Sequence, residues 1–145
     1  MTKVQFYHNA PDQLALACEL VAKAQAGGRQ VAVRAADPAM ARKLDLMLWT
    51  VEPLAFVPHV MNGGPLADET PVQIGAPGSD ARWPHADILF NLAADLAPGF
   101  EGFRTVVEIV GRSEAEKAPA RARWTQYKTR GLPLKAFDAE RRVAL

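Results

Sequence analysis

Residues 4–36, VQFYHNAPDQLALACELVAKAQAGGRQVAVRAA, decide the fold because they hold a strand, a helix and a second strand in succession. Residues 4–7 favour a short strand, and Asp12 suits the first turn of the helix that follows. Apolar side chains then recur at helical spacing until Gly27 and Gly28 end the helix. Residues 30–36 (QVAVRAA) predict the second strand. This order predicts an α/β fold with a parallel pair of strands at the centre of its sheet.

Later segments extend the same sheet. Asp37 is placed to cap a second helix that has Pro38 at its first position. Further short strands are expected at residues 56–57, 72–74 and 87–92. Residues 105–110 (TVVEIV) are nearly continuous in β-branched side chains, which is typical of a central strand buried on both faces.

The composition is that of an ordinary folded domain. The chain has 145 residues, of which 49% are hydrophobic and 23% charged, and this predicts a single domain over residues 1–145. The residues from about 138 onward are rich in charge and are expected to form a frayed tail. A net charge of +1 gives no global attraction to nucleic acid, so any electrostatic function is expected to be local.

The single cysteine and the absence of long apolar runs bound the cellular setting. Cys18 excludes an internal disulfide and a cysteine-rich zinc site, and its apolar helical neighbours predict a core position. No stretch approaches the ~20 apolar residues of a membrane span, and the start does not resemble a signal peptide. We therefore expect a cytoplasmic protein.

Residues 113–131, SEAEKAPARARWTQYKTRG, form the most distinctive segment of the chain. Ser113 begins a capping box, and helical spacing places four residues on one face, namely Lys117, Arg121, Trp124 and Lys128. Six Lys and Arg against two Glu give residues 112–130 a surplus of +4. Cations beside an aromatic suit an anionic peptide or nucleic acid that also offers an apolar group. The segment predicts a binding surface, and it contains no paired acid and base.

Two arrangements of this helix are open from the sequence. Trp124 and Tyr127 are either its core contacts, with the cations solvated, or Trp124 is free to line a groove. The second arrangement has the small residues against the sheet, namely Ala118, Ala120, Ala122 and Thr125. Pro119 lies well inside the helical span and predicts a kink or a fresh start, because an interior proline costs about 3 kcal/mol.

The second helix carries apolar residues on two faces. One stripe consists of Met40, Leu44, Met47 and Leu48, whereas Leu46 and Trp49 fall on the other side if the helix continues that far. Either the helix ends near Met47 and Trp49 turns into the core, or the two residues form a contact with another protein.

Motifs of catalysis are absent. There is no P-loop, no G-x-G-x-x-G after the first strand and no G-x-S-x-G elbow. His8, His59 and His85 lack the spacing of a metal site, so no metal and no catalytic residue is predicted. Two alternatives nevertheless stay open: a nucleotide- or metal-dependent enzyme on a Rossmann-like sheet, and direct binding of single-stranded DNA by the +4 segment.

Short motifs run through nearly the whole chain in a characteristic order. They are L-D-x-x-L-W at 44–49, F-V-P-H at 56–59, P-V-x-I at 71–74, D-I-L at 87–89, F-x-x-F-x-x-V-V-E at 100–108 and K-x-x-A-R-x-R-W-x-x-Y at 117–127, followed by Gly131. In this combination the chain resembles bacterial DNA polymerase III chi subunits. The resemblance implies a three-layer α/β/α sandwich around a mostly parallel (mixed), Rossmann-like sheet, without catalysis and without a cofactor.

The same resemblance implies partners and binding residues. Chi is an accessory of the clamp-loader assembly that holds the acidic C-terminal tail of the single-stranded-DNA-binding protein. It attaches to the clamp loader through the psi subunit, contacts DNA only indirectly and is a monomer alone. The family's tail pocket matches Lys117, Arg121 and Trp124 here, with Thr125 at a position where a cation is expected and Lys128 as a substitute. Its psi-facing surface matches three apolar residues, namely Leu46, Trp49 and Phe56.

Overall fold

The computed structural model describes residues 2–48, 59–61, 72–75, 87–141 and 143–144. These residues form one eight-stranded sheet and three α-helices. The strands are β1 (Lys3–Ala10), β2 (Val31–Arg34), β3 (His59–Met61), β4 (Val72–Gly75), β5 (Ile88–Asn91), β6 (Thr105–Gly111), β7 (Leu134–Asp138) and β8 (Val143–Ala144). The helices are α1 (Gln13–Ala26), α2 (Pro38–Leu48) and α3 (Glu114–Thr129), and a 3-10 turn covers Phe100–Gly102.

The sheet is parallel except at one edge. Its strand order is β3-β4-β2-β5-β6-β1-β7-β8, and among these described strands only the β7–β8 pair is antiparallel. The first strand of the chain is thus an interior strand, since Val4 lies between Val106 of β6 and Leu134 of β7. The predicted mostly parallel, mixed sheet is confirmed.

Helices cover both faces of this sheet. Side chains alternate along each strand, so Val31 and Val33 of β2 join the core under α1 and α2, whereas Ala32 joins the core under α3. Cys18 is 1% exposed in the first of these cores, as its apolar neighbours predicted. The three-layer α/β/α order is therefore confirmed.

Each helix begins at the polar residue that the sequence indicated. The carboxylate of Asp12 accepts a hydrogen bond from the Ala15 amide at 3.0 Å, and that of Asp37 accepts one from the Met40 amide at 2.8 Å. The hydroxyl of Ser113 accepts one from the Glu116 amide at 3.3 Å. These bonds satisfy amides that the first helical turn leaves without partners. None of the described helices is long and apolar enough to cross a bilayer.

The fresh start that was predicted as one alternative at Pro119 is wrong, because α3 is one continuous helix from Glu114 to Thr129 with the proline inside. Pro119 removes the amide that would bond the carbonyl of Ala115 one turn earlier. Ala115 is exposed, so water can hydrogen-bond that carbonyl. The other contacts of α3 hold the helix in place and offset the free-energy cost of the proline.

The predicted frayed tail is also wrong for the described residues. Asp138 ends β7 beside His8 of β1, and Val143 of β8 pairs back onto it. The Asp138 carboxylate accepts hydrogen bonds from the amides of Glu140 at 3.0 Å and Arg141 at 3.1 Å. An aspartate that bonds the backbone two and three residues later stabilises a turn, which allows the chain to reverse and pair. The strand predicted at residues 56–57 lies outside the described residues.

Candidate functional site

A cleft opens between α3 and the carboxyl ends of β1 and β6. Its volume is about 470 Å³. We call it the α3 cleft, and its lining consists of Lys117, Ala120, Arg121, Trp124 and Thr125 from α3, His8 and Asn9 from β1, and Val110 and Gly111 from β6. It therefore combines two cations, aromatic rings and an apolar floor in one concave surface.

The two cations lie one helical turn apart on the rim of the cleft. Arg121 is 68% exposed, and its guanidinium donates to the Glu114 carboxylate at 3.4 Å. Glu114 is itself 76% exposed, and such solvated pairs contribute only about 0.2–1 kcal/mol. The guanidinium can therefore exchange Glu114 for another carboxylate at little cost.

Trp124 is half-buried and serves both the core and the cleft. Its ring meets Phe6 edge-to-face at a centroid distance of 5.1 Å, and the His8 ring lies 6.3 Å away. The remaining surface of the indole lines the cleft. The two arrangements that the sequence left open are thus combined: Tyr127 is a core contact, and Trp124 is a wall that the core supports.

The face of α3 that meets the sheet differs from the predicted small-residue face. Ala120, Arg123 and Tyr127 are buried there, whereas Ala118, Ala122 and Thr125 are exposed. Only Ala120 was placed correctly. The reason is a buried carboxylate in β6, which draws an arginine and a tyrosine of α3 towards the sheet.

That carboxylate belongs to Glu108, which is fully buried in the middle of β6. It accepts hydrogen bonds from Arg123 Nε at 3.0 Å, from the Tyr127 hydroxyl at 2.6 Å and from Asn91 Nδ2 at 3.0 Å. Burial raises the pKa of Glu108, and the nearby Arg123 guanidinium, Tyr127 and Asn91 oppose that rise. Breaking a buried pair of this kind costs about 3–5 kcal/mol, so the network fixes α3, and with it the cleft, on the sheet.

Arg34 extends this network beyond α3. Its guanidinium is 2% exposed and donates to the Asp95 carboxylate at 2.8 Å and to Asn91 Oδ1 at 3.3 Å. The hydrogen bond from Arg34 is the main cause that lowers the pKa of Asp95. The burial of Arg34 and Arg123 was not predicted from the sequence. The available indications were Glu108 and Arg34 themselves, since each is a charge within a strand of apolar residues.

The start of α3 is tied to the floor of the cleft. Glu116 reaches back beyond the capping residue, and its carboxylate accepts a hydrogen bond from the Gly111 amide at 2.7 Å. A Cβ at position 111 would overlap this carboxylate, so a larger residue there would force the Glu116 side chain to move. The predicted capping box exists in a variant form that joins β6 directly to α3.

The remaining predicted residues fall elsewhere. Lys128 is exposed on α3 but does not line the cleft. Arg123, counted in the +4 surplus, is withdrawn from the surface by Glu108. On α2, Leu46 is 68% exposed, while Trp49 and Phe56 lie outside the described residues. Within the described ranges, no group of three or more His, Cys, Asp or Glu side chains is placed to hold a metal ion.

Comparison with known proteins gives one consistent result. Residues 1–135 match the family model described as DNA polymerase III chi subunit, HolC. A protein named DNA polymerase III subunit chi from Pseudomonas aeruginosa is 37% identical over 92% of this chain and 94% of its own length. Proteins of the same name from Escherichia coli and Haemophilus influenzae are 31% and 29% identical, over 82% and 80% of this chain and 80% of their own lengths.

Proposed function

This chain belongs to the DNA polymerase III chi subunit family and has an accessory role in DNA replication, and from that premise we propose that it is a non-catalytic adaptor of the replisome. In this proposal the α3 cleft binds the acidic C-terminal tail of the single-stranded-DNA-binding protein. A second surface links the chain to the psi subunit and the clamp loader. Such an adaptor works in the cytoplasm, where the chromosome is copied.

The observation that carries the proposal is the composition of the α3 cleft. Lys117 and Arg121 stand on its rim, Trp124 forms a wall, and Val110 and Ala120 form an apolar floor. An acidic peptide that ends in an apolar residue needs these three features together. A volume of about 470 Å³ is suited to a terminal side chain and its carboxylate.

Each lining residue has a distinct role in this mechanism. Arg121 holds the terminal carboxylate through two parallel N–H bonds, which the single ammonium of a lysine cannot reproduce. Trp124 contacts the terminal apolar side chain, and its packing on Phe6 keeps the indole in place before the peptide arrives. Lys117 and, from outside the cleft, Lys128 attract the upstream acids. We expect micromolar affinity, about −8 kcal/mol, that weakens as salt screens these charges.

The second surface is proposed on α2. Leu46 is the one large apolar side chain that α2 exposes, on a helix whose other long apolar residues are buried or partly buried. An exposed leucine among charged neighbours suits the rim of a contact with another protein. We propose that Leu46, with Trp49 and Phe56, binds psi.

The test is a titration of the intact protein with a peptide that carries the tail of its own single-stranded-DNA-binding protein. Arg121→Ala removes the bidentate partner of the carboxylate, so we expect a loss of about 2 kcal/mol, or roughly 30-fold. Arg104→Ala is the matched control, because this arginine is 86% exposed at the opposite end of β6. Calorimetry measures both variants.

Equal affinities for Arg121→Ala, Arg104→Ala and the unaltered protein would contradict the proposal. The variant Lys128→Ala distinguishes long-range electrostatic attraction of the peptide from direct contact with it. We expect a small loss that disappears as salt is raised, whereas the loss in Arg121→Ala persists.

A further inference from the structure

The wall of the α3 cleft opposite its helix is formed by a distorted end of β1. The register between β1 and β6 shifts between Tyr7 and Ala10, and Asn9 has a φ of 59°. A left-handed backbone is uncommon outside glycine and costs about 1–2 kcal/mol. The Asn9 amide donates to the Asp138 carboxylate at 3.2 Å, which holds this conformation. The chain thus maintains a strained bulge where the cleft is lined.

The bulge presents His8 to the cleft. The imidazole is stacked on Phe6 at a centroid distance of 5.7 Å and an interplanar angle of 16°. The backbone carbonyl of His8 accepts a hydrogen bond from the Ala139 amide at 2.7 Å, so β7 fixes the position of the residue. Neither ring nitrogen has a hydrogen-bond partner among the described residues. Ring stacking therefore holds the imidazole in place, and its two nitrogens are available to form hydrogen bonds with a ligand.

Charged side chains of α3 and β7 lie around His8. Lys117 and Arg121 of α3 line the same cleft, and Asp138 of β7 pairs with His8 in the sheet. Glu116 is turned to the Gly111 amide at the cleft floor. Burial lowers the pKa of His8 below its usual 6.5, and the Asp138 carboxylate offsets part of this effect. The imidazole is therefore neutral near pH 7 while the cleft is empty.

We propose that His8 is a third anion-binding side chain of the α3 cleft, whose imidazolium donates a hydrogen bond to a carboxylate of the bound acidic peptide. This inference rests on the proposed function of the cleft. It adds a ligand-binding residue on β1 to those on α3, and it makes peptide binding depend on protonation. Between the pKa values of His8 in the free and bound protein, binding takes up to one proton from solvent onto the imidazole, because the incoming carboxylate stabilises the charged form.

The sign of the pH dependence follows from this coupling. The carboxylate raises the pKa of His8 in the complex above its value in the free protein. Affinity therefore rises as pH falls between these two values and is constant above both. Each unit by which the pKa rises gives up to about tenfold in affinity. The peptide's own carboxyl groups titrate near pH 4, so they remain ionised throughout the range from pH 5.5 to 8.

The experiment is a calorimetric titration of the intact protein with the tail peptide at constant ionic strength, from pH 5.5 to 8. We expect the affinity of the unaltered protein to rise several-fold towards pH 5.5 and that of His8→Asn to stay flat. The thermal midpoint of His8→Asn checks that the variant is folded. Nuclear magnetic resonance of the His8 ring, with and without peptide, measures the pKa in the unaltered protein and needs no variant.

The outcomes separate the inference from the function on which it rests. Binding with equal pH slopes in the two proteins, or an unchanged pKa of His8 in the complex, would overturn the role of His8 and leave the adaptor function standing. No saturable binding at any pH would overturn the function itself. A C-terminally amidated peptide identifies the carboxylate, since a lost pH dependence assigns His8 to the terminal group and a retained one to an upstream acid.

Discussion

At the scale of single residues, Glu114 is the internal competitor of the proposed tail. It holds Arg121 at 3.4 Å on the rim of the α3 cleft, where a carboxylate of the tail would take its place. Removing its charge leaves the guanidinium without that competing anion. For Glu114→Gln we expect tail affinity to rise about two- to threefold at low salt, since exposed pairs of this kind contribute a few tenths of a kcal/mol to 1 kcal/mol.

Fluorescence anisotropy of a labelled peptide measures this gain. Glu101→Gln is the matched control, because Glu101 is exposed in the 3-10 turn and does not line the cleft. The gain should vanish at about 1 M salt, where the Debye length is ~3 Å. An equal gain in both variants would assign the effect to net charge and not to competition for Arg121.

Prediction from the sequence succeeded for single residues where helical spacing alone determines which side chains lie next to one another. Lys117, Arg121 and Trp124 are spaced by four and three residues, and the structure brings all three into one cleft. It failed for His8 and Arg123, because their surroundings depend on strands that are distant in sequence. Nothing near Arg123 in the chain shows that Glu108 is buried beneath it.

At the scale of elements, α3 tolerates Pro119 because three sets of contacts hold the helix. These are the link from Glu116 to Gly111, the network on Glu108 and the packing of Tyr127 against Phe6 and Phe100. Pro119→Ala restores the amide that can bond the carbonyl of Ala115. We expect the free energy of unfolding to rise by up to about 3 kcal/mol, and urea denaturation measures it.

Ala118→Gly is a useful control for this change, because it perturbs the exposed neighbour and should lower stability by about 1 kcal/mol. If Pro119→Ala is less stable than the unaltered protein, the packing of the proline ring contributes more free energy than the missing amide hydrogen bond costs. Tail affinity should not change, since Pro119 does not line the α3 cleft.

Elements were predictable from the sequence where pattern and capping agree. The start of each helix and the strands β2, β5 and β6 were predicted close to their observed limits. β7 was missed because LKAFD is short and mixes charged with apolar residues, and its pairing with β1 depends on residues about 130 positions away. The prediction that small residues of α3 face the sheet was wrong. The spacing of the alanines suggested a close approach of the helix to the sheet, whereas the buried carboxylate of Glu108 determines which face of α3 makes the contact.

At the scale of the whole molecule, the residues after β7 close the edge of the sheet. Ala139 bonds the backbone of His8, Glu140 pairs with Arg112 at 2.8 Å, and Val143 pairs with Asp138. Removing residues 139–145 eliminates these contacts at once. We expect the free energy of unfolding to fall by about 1–3 kcal/mol in urea denaturation.

Glu140→Gln in the full chain isolates the exposed ion pair and should cost less than 1 kcal/mol. Because Ala139 also holds His8, the truncated protein should bind the tail peptide more weakly. An unchanged unfolding midpoint in the truncated protein would contradict a structural role for this segment.

The proposed binding surfaces lie on different layers of the sandwich. The α3 cleft belongs to one helix layer, and Leu46 of α2 belongs to the other. The sheet therefore separates the two, so a tail peptide and a partner on α2 do not compete for space. This is the geometry that an adaptor between two proteins requires.

The interior position of β1 has a consequence for the synthesis of the protein. Its two neighbours in the sheet begin at Thr105 and Leu134, so β1 has no pairing partner until the ribosome has translated the chain as far as β6. At roughly 5–20 residues per second, that delay is about 5–20 s for β6 and longer for β7. Throughout this interval the apolar side chains of β1 lack the strands that bury them in the folded protein, which makes the growing chain a candidate client for ribosome-associated chaperones.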